Sequence, residues 1–250
     1  MKILLILIAT ITISFGAHIP KNFTKAKEMS TRLYYTYHMV SFYTNTPLIP
    51  IVYIHKKKFP YKSTLTLELG MKNSPYQGTK YVERGKKIEW EHITPASWFT
   101  TASPEIYNAW YKGNPKCITS SGNTYKGRKC AEKVSKLFNK MEGDMYNLVP
   151  IIGALNALRK DKPYGIIKGE KREFGKTLDV EINSSTIELE EDKRGDVARV
   201  LLYMNKKYGV RFPDHNNTVK MLKKWDSEDP EDDWEKKKKE ILHKTYNIEF

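Results

Sequence analysis

A chain of 250 residues with 40% hydrophobic and 12% aromatic side chains has apolar surface enough for one sizeable core or two small domains, which excludes a disordered protein. Its 43 Lys and Arg stand against 29 Asp and Glu, a formal charge of +14, which in an exported form points to a polyanionic partner (nucleic acid, anionic lipid or cell-wall polymer), the alternative being a basic surface that only aids solubility. No internal repeat, low-complexity tract or Gly/Ser linker divides the sequence.

Lys2, an apolar run over residues 3–15 and the small Gly16 and Ala17 read as a secretory signal peptide over residues 1–17, cleaved after Gly16 or Ala17. The apolar run is shorter than the roughly 20 residues that span a bilayer, which argues against an uncleaved anchor. Residues 18–250 then form a single exported domain, expected to be a monomer with no stable membrane association. Residues 21–39 predict a helix, with Phe23, Ala26, Met29, Leu33 and Tyr37 at helical spacing toward the core. The run His55-Lys56-Lys57-Lys58, interleaved with Tyr53, Phe59 and Tyr61, reads first as a solvated loop. The alternative is a segment that tracks a phosphate backbone while its rings stack on bases.

Basic residues over 80–87 lead into the strand-like stretch Ile88-Glu89-Trp90-Glu91-His92-Ile93-Thr94-Pro95. Adjacent side chains in a regular strand face opposite ways, so Glu91 and His92 serve one site only if the strand twists, bulges or ends, and Pro95 favours an ending. A carboxylate can hold a divalent cation through oxygen, and a neutral imidazole can take a proton from water. The apolar run 147–152 reads as a second strand or extended segment. It feeds a short helix over 153–160, stopped by Pro163 and Gly165. Asn156 is a poor helix former in this Ala- and Leu-rich helix, so its amide is either exposed or used. Further on, residues 178–182 and 186–189 read as strands of a hairpin turning at Asn183-Ser184-Ser185. A helix opening at Arg194 presents Val197, Val200, Leu201 and Met204 to the core. The last fifty residues read as peripheral helices, with Trp225 and Trp234 bracketing an acidic turn and Lys236 to Lys239 reading first as a solvated face, with nucleic-acid contact as the alternative.

Glu91-His92, then Asn147-Leu148-Val149-Pro150, Gly153-Ala154-Leu155-Asn156-Ala157-Leu158-Arg159 and Arg194-Gly195-Asp196 recur in order and approximate spacing. In these motifs the chain resembles the endonuclease I family of periplasmic and secreted nonspecific nucleases, from about Lys27 to the C-terminus. The resemblance implies an α+β fold, mixed helices and short strands around a ββα-metal (His-Me finger) motif. It implies a secreted or periplasmic enzyme hydrolysing phosphodiester bonds of DNA, and RNA as a further candidate, to 5′-phosphate and 3′-hydroxyl ends. It carries over residue by residue as follows. Glu91 and Asn156 hold one divalent cation, expected to be Mg²⁺, and His92 is the general base. Arg128 binds phosphate, while Asn147 and Arg159 support the site, Asn147 either orienting His92 or closing the turn. Segment 41–46 sits where many members carry Phe-Tyr followed by paired cysteines. Threonine stands there instead, so the disulfide usual at that place is expected to be missing. Tyr146 replaces a histidine common before Asn147. Cys117 and Cys130 are the two cysteines of the chain, and in an oxidising compartment they are expected to pair and hold Arg128 in place. Two rival functions are a noncatalytic, cationic polyanion-binding protein on the same fold and a nuclease toxin delivered into other cells.

Overall fold

The computed structural model describes residues 20–38, 40–43, 48–50, 61–63, 84–85, 87–169, 174 and 178–250. The signal-peptide segment, the run 55–58, the threonines of segment 44–46 and most of the basic stretch 80–87 lie outside them. Helix α1, Phe23–Tyr37, starts where Asn22 Oδ1 accepts the backbone N–H of Lys25 at 3.1 Å, an N-cap that satisfies one of the orphan donors of the first turn. Its buried stripe runs through Ala26, Ser30, Leu33 and Tyr34, with Phe23 and Met29 partly covered. Tyr37, expected in the core, is 54% exposed: it is the final residue of α1, one turn beyond the buried Leu33 and Tyr34.

Two strands follow, β1 (Leu48–Pro50) and β2 (Tyr61–Ser63), paired antiparallel. The central pair is β3, Ile88–His92, and β4, Leu148–Ile152, antiparallel with His92 opposite Leu148 and Glu91 opposite Val149. β4 is buried throughout, as its unbroken apolar sequence requires. Between the two strands the chain makes a 3₁₀ helix (Ala96–Thr101), α2 (Pro104–Tyr111), α3 (Arg128–Val134) and α4 (Lys136–Glu142). The Cys117–Cys130 disulfide, Cα–Cα 5.4 Å and fully buried at both ends, ties the loop before α3 to the helix itself. β4 runs directly into α5, Gly153–Arg159, which completes the β, β, α order.

β5 (Glu181–Ile182) and β6 (Ile187–Glu188) form the hairpin, shorter than its apolar sequence suggested, with Asn183 Oδ1 accepting the N–H groups of Ser185 and Thr186 in the turn. The chain ends in α6 (Arg194–Tyr208), α7 (His215–Glu228) and α8 (Asp233–Tyr246). Val197, Val200, Leu201 and Met204 of α6 are buried as their spacing requires, and α6 packs along α7. Gly195 touches the Asp229 carbonyl so closely that a Cβ would collide with it, which brings the end of α7 against the start of α6. Arg199 then ties Asp196, Asp226 and Glu235 together across the three helices. Lys238, expected on a solvated face, is instead buried: its ammonium reaches the carbonyls of Tyr146 (3.2 Å) and Leu148 (3.4 Å), so α8 is fastened to the start of β4. The architecture is α+β, with short antiparallel pairs embedded among helices.

Candidate active site

Residues 89 and 91 lie on one face of β3, residues 90 and 92 on the other, because side chains alternate along a strand. The pairing with β4 is regular through His92, with no bulge, so Glu91 and His92 diverge and meet different elements. The strand does end there. Beyond it Asn147 binds the Thr94 backbone twice, its Oδ1 accepting from the N–H at 2.7 Å and its Nδ2 donating to the carbonyl at 3.1 Å. Asn147 therefore closes the turn after β3 and makes no hydrogen bond to His92 among the described residues.

On the Glu side of the strand stands α5. Asn156 and Arg159, three residues apart, share one helix face and meet the two carboxylates in turn. Arg159 is fully buried; its Nη1 engages Glu91 Oε1 and donates to the His92 carbonyl at 2.7 Å, and its Nη2 donates to the Ile93 carbonyl at 2.6 Å. Its guanidinium also lies over the Tyr164 ring, 4.6 Å from the centroid. Tyr164 is in turn hydrogen-bonded to Tyr43 at 2.7 Å. Arginine suits this place because a planar fork can serve a carboxylate and two carbonyls at once. Burial raises the Glu91 pKa above its ordinary value, and Arg159 opposes that rise.

Asn156 Nδ2 donates to Glu89 Oε2 at 2.9 Å, while Arg84 clasps the same carboxylate through Nε at 3.0 Å and through Nη2. The structure thus brings Asn156 to Glu89 and Arg159 to Glu91; no hydrogen bond joins Glu91 to Asn156. Glu89 was not singled out by the sequence, although its spacing of two from Glu91 places it on the same strand face. No described residue hydrogen-bonds to Asn156 Oδ1. Among the described residues no three His, Cys, Asp or Glu side chains cluster as a metal site.

His92 faces the other way, 7% exposed, between the rings of Phe23 (centroids 4.7 Å apart) and Phe99 (6.1 Å). Its Nε2 lies 2.8 Å from the Glu142 carbonyl at the end of α4. A carbonyl only accepts, so Nε2 carries the hydrogen and the lone pair resides on Nδ1. Burial, with Arg128 second, lowers the His92 pKa to about 3, which keeps the ring neutral throughout the physiological range.

Arg128, the first residue of α3, pairs through Nε with Glu142 and lies 3.6 Å from Glu132. Its guanidinium sits over the Phe23 ring at 5.1 Å, and its Nη2 has no hydrogen-bond partner among the described residues. The disulfide is two residues away, at Cys130, and anchors the turn from which Arg128 projects. A cleft of about 640 Å³ opens here between α1, α3 and α4, lined by Lys21, Phe23, Lys27, Arg128, Lys133 and Glu142 among others. Phe23 thus borders both the cleft and the imidazole, with the Arg128 guanidinium over the same Phe23 ring. Neither Glu91 nor Asn156 lines the cleft. Neither Phe23 nor Glu142 is marked as a site residue by the sequence: one reads as a core helix residue, and the other contributes a backbone carbonyl, which no side-chain pattern reports.

A family model described as Endonuclease I matches residues 17–248. An extracellular deoxyribonuclease of Aeromonas hydrophila is 31% identical over 236 residues, covering 93% of this chain and 88% of that protein. A periplasmic deoxyribonuclease of the same organism is 33% identical over 162 residues, 64% of this chain and 60% of that protein. Endonuclease-1 of Buchnera aphidicola subsp. Acyrthosiphon pisum is 29% identical over 175 residues, 70% of this chain and 61% of that protein.

Proposed function

The chain belongs to the endonuclease I family, which makes it a nuclease, and from that premise we propose that it is a secreted or periplasmic deoxyribonuclease using one divalent cation, Mg²⁺, and His92 as general base. The observation that carries the reading is the imidazole tautomer: the Glu142 carbonyl holds the hydrogen on Nε2 and leaves Nδ1 free to accept a proton from an attacking water. Its lowered pKa keeps that lone pair free at neutral pH.

Glu91 and Asn156 supply oxygens of the hard type that Mg²⁺ prefers, on the strand face opposite His92, so in this reading the ion and the imidazole reach one phosphate from the two sides of the strand's end. They fit the ion in a specific way. The Glu89 carboxylate can only accept, so it takes the Asn156 amide nitrogen and leaves Oδ1 as the face offered to a cation. Glu91 uses Oε1 for Arg159, and a carboxylate has lone pairs to spare on its other oxygen. When bound, the cation neutralises charge on the phosphate and on the departing 3′ oxygen. Arg128 Nη2 is a donor that a phosphate oxygen would satisfy, and Lys21, Lys27 and Lys133 around the cleft add positive field without reading bases. The products are then 5′-phosphate and 3′-hydroxyl ends, with little sequence preference. Nicking supercoiled plasmid with the oxidised chain in Mg²⁺ and in EDTA, then treating the nicked circles with DNA ligase, tests the whole reading. Nicks are expected in Mg²⁺ only, and ligase should seal them without prior phosphatase or kinase treatment. Nicking that persists in EDTA, or nicks that ligase seals only after such treatment, would overturn it.

A further inference from the structure

Glu89 is built into this site more firmly than a strand residue needs to be. Its Oε1 accepts from Arg84 Nε at 3.0 Å, and its Oε2 accepts from both Arg84 Nη2 and Asn156 Nδ2. The start of α5 is shaped around it: a Cβ on Gly153 would lie 2.8 Å from the Glu89 carboxyl carbon and 2.9 Å from the Arg84 carbonyl. Gly153 is the first residue of α5, and its N–H donates to the Lys87 carbonyl at 2.8 Å. The same glycine therefore lets the helix that bears Asn156 start hard against the strand that bears Glu89.

An asparagine amide can present either end, and the two differ in what they bind. The nitrogen end repels a cation and the oxygen end ligates it. Nothing else among the described residues fixes the Asn156 amide. We propose that Glu89 is a positioning residue for the cation site: held by Arg84 and admitted by Gly153, it fixes Asn156 with Oδ1 toward the ion. The inference rests on the reading of Asn156 as a cation ligand. Glu89 does its work through Asn156 and does not itself ligate the ion. Arg84 offsets the carboxylate charge, so the gain comes from geometry and not from added negative field.

The test separates geometry from charge by using variants that keep the charge. Glu89→Asp shortens the side chain by one methylene and draws the carboxylate away from Asn156; Gly153→Ala pushes it aside from the other direction. Mn²⁺ binding is measured by calorimetry on the full oxidised chain for the wild type, Asn156→Ala, Glu89→Asp, Gly153→Ala and the double variant Glu89→Asp/Asn156→Ala, with thermal melts confirming that each is folded. Loss of such an orienting contact typically weakens metal binding by about 10- to 100-fold, and that is the effect expected of Glu89→Asp and of whichever second variant folds. In the Asn156→Ala background Glu89→Asp should have no further effect. Folded Glu89→Asp or Gly153→Ala proteins that bind Mn²⁺ within about twofold of the wild type would overturn the positioning role. So would an equal loss with and without Asn156, which would make Glu89 a ligand in its own right. If the wild type binds Mn²⁺ and Asn156→Ala binds it equally well, the reading of Asn156 as a ligand fails instead, and the two failures are distinguished.

Discussion

Arg159→Met removes the hub of the buried side of β3. In the native chain the guanidinium satisfies Glu91, the His92 and Ile93 carbonyls and, at 3.4 Å, the Lys162 carbonyl, all with no solvent exposure of its own. Methionine fills much of the space but offers no donor, so Glu91 becomes a buried carboxylate without a partner. Breaking a buried pair from one side costs about 3–5 kcal/mol. Each orphaned carbonyl adds roughly 1–3 kcal/mol where water cannot reach it. Part of that cost is avoided if Glu91 takes up a proton, which its raised pKa already favours. With that relief we expect a loss of at least about 4 kcal/mol, which for a chain of this size lowers Tm by roughly 10 °C or more. Urea unfolding of the oxidised protein in EDTA measures it without a contribution from bound cation. The double variant Glu91→Gln/Arg159→Met should recover a substantial part of the loss, because the uncompensated charge is gone. Arg159→Lys should fall between, since an ammonium keeps the charge but cannot serve three acceptors in one plane. A loss below about 1 kcal/mol for Arg159→Met, or a double variant no better than the single, would refute the claim that Arg159 compensates Glu91.

His92 has a folded pKa of about 3, below its unfolded value, so the unfolded state binds the extra proton first and stability falls as pH drops below about 6.5. Between pH 7.5 and 5 this group alone costs about 2 kcal/mol by linkage. His92→Gln, which keeps a donor for Glu142, should lose that much less over the same interval in urea titrations at the two pH values; parallel losses would contradict the buried neutral ring. Reducing the Cys117–Cys130 bridge should lower stability by about 3 kcal/mol and weaken phosphate binding by loosening Arg128, measured by unfolding and by DNA affinity with and without reductant. Gly195→Ala places a Cβ against the Asp229 carbonyl and should destabilise the α6–α7 contact by more than about 2 kcal/mol; a variant that melts with the wild type would show that this approach is not required.

How much of this was legible in the sequence depends on where each interaction is encoded. The helix of α1, the turn at Asn183, the core stripe of α6 and the pairing of two cysteines are local or forced, and periodicity and turn chemistry report them. Glu91, His92 and Asn156 stand out through the motifs the chain shares with the endonuclease I family; residue type alone would leave His92 a core histidine and Glu91 a surface charge. The partners that decide their chemistry did not. Arg84 and Asn156 converge on Glu89 from residues 84 and 156, and only the β3–β4 register and Gly153 make that meeting possible. The acceptor for His92 is a backbone carbonyl, identical in every residue type. Lys238 belongs by sequence to a basic run expected on a solvated face, yet the α8 register turns this one lysine inward, where burial lowers its pKa to about 8. The run of like charges hid a residue whose neighbours Lys236 and Lys237 are exposed.

Single-turnover cleavage of duplex DNA by His92→Ala, compared with the wild type in Mg²⁺ and with DNA affinity measured on the same samples, tests the central claim most directly. The account predicts a fall in cleavage rate of at least about 100-fold with affinity preserved, the size typical of losing a general base. A variant that cuts at the wild-type rate would show that His92 is not the base. If the wild type binds DNA but never cuts it with any divalent ion, the catalytic account falls and a cationic DNA-binding protein takes its place.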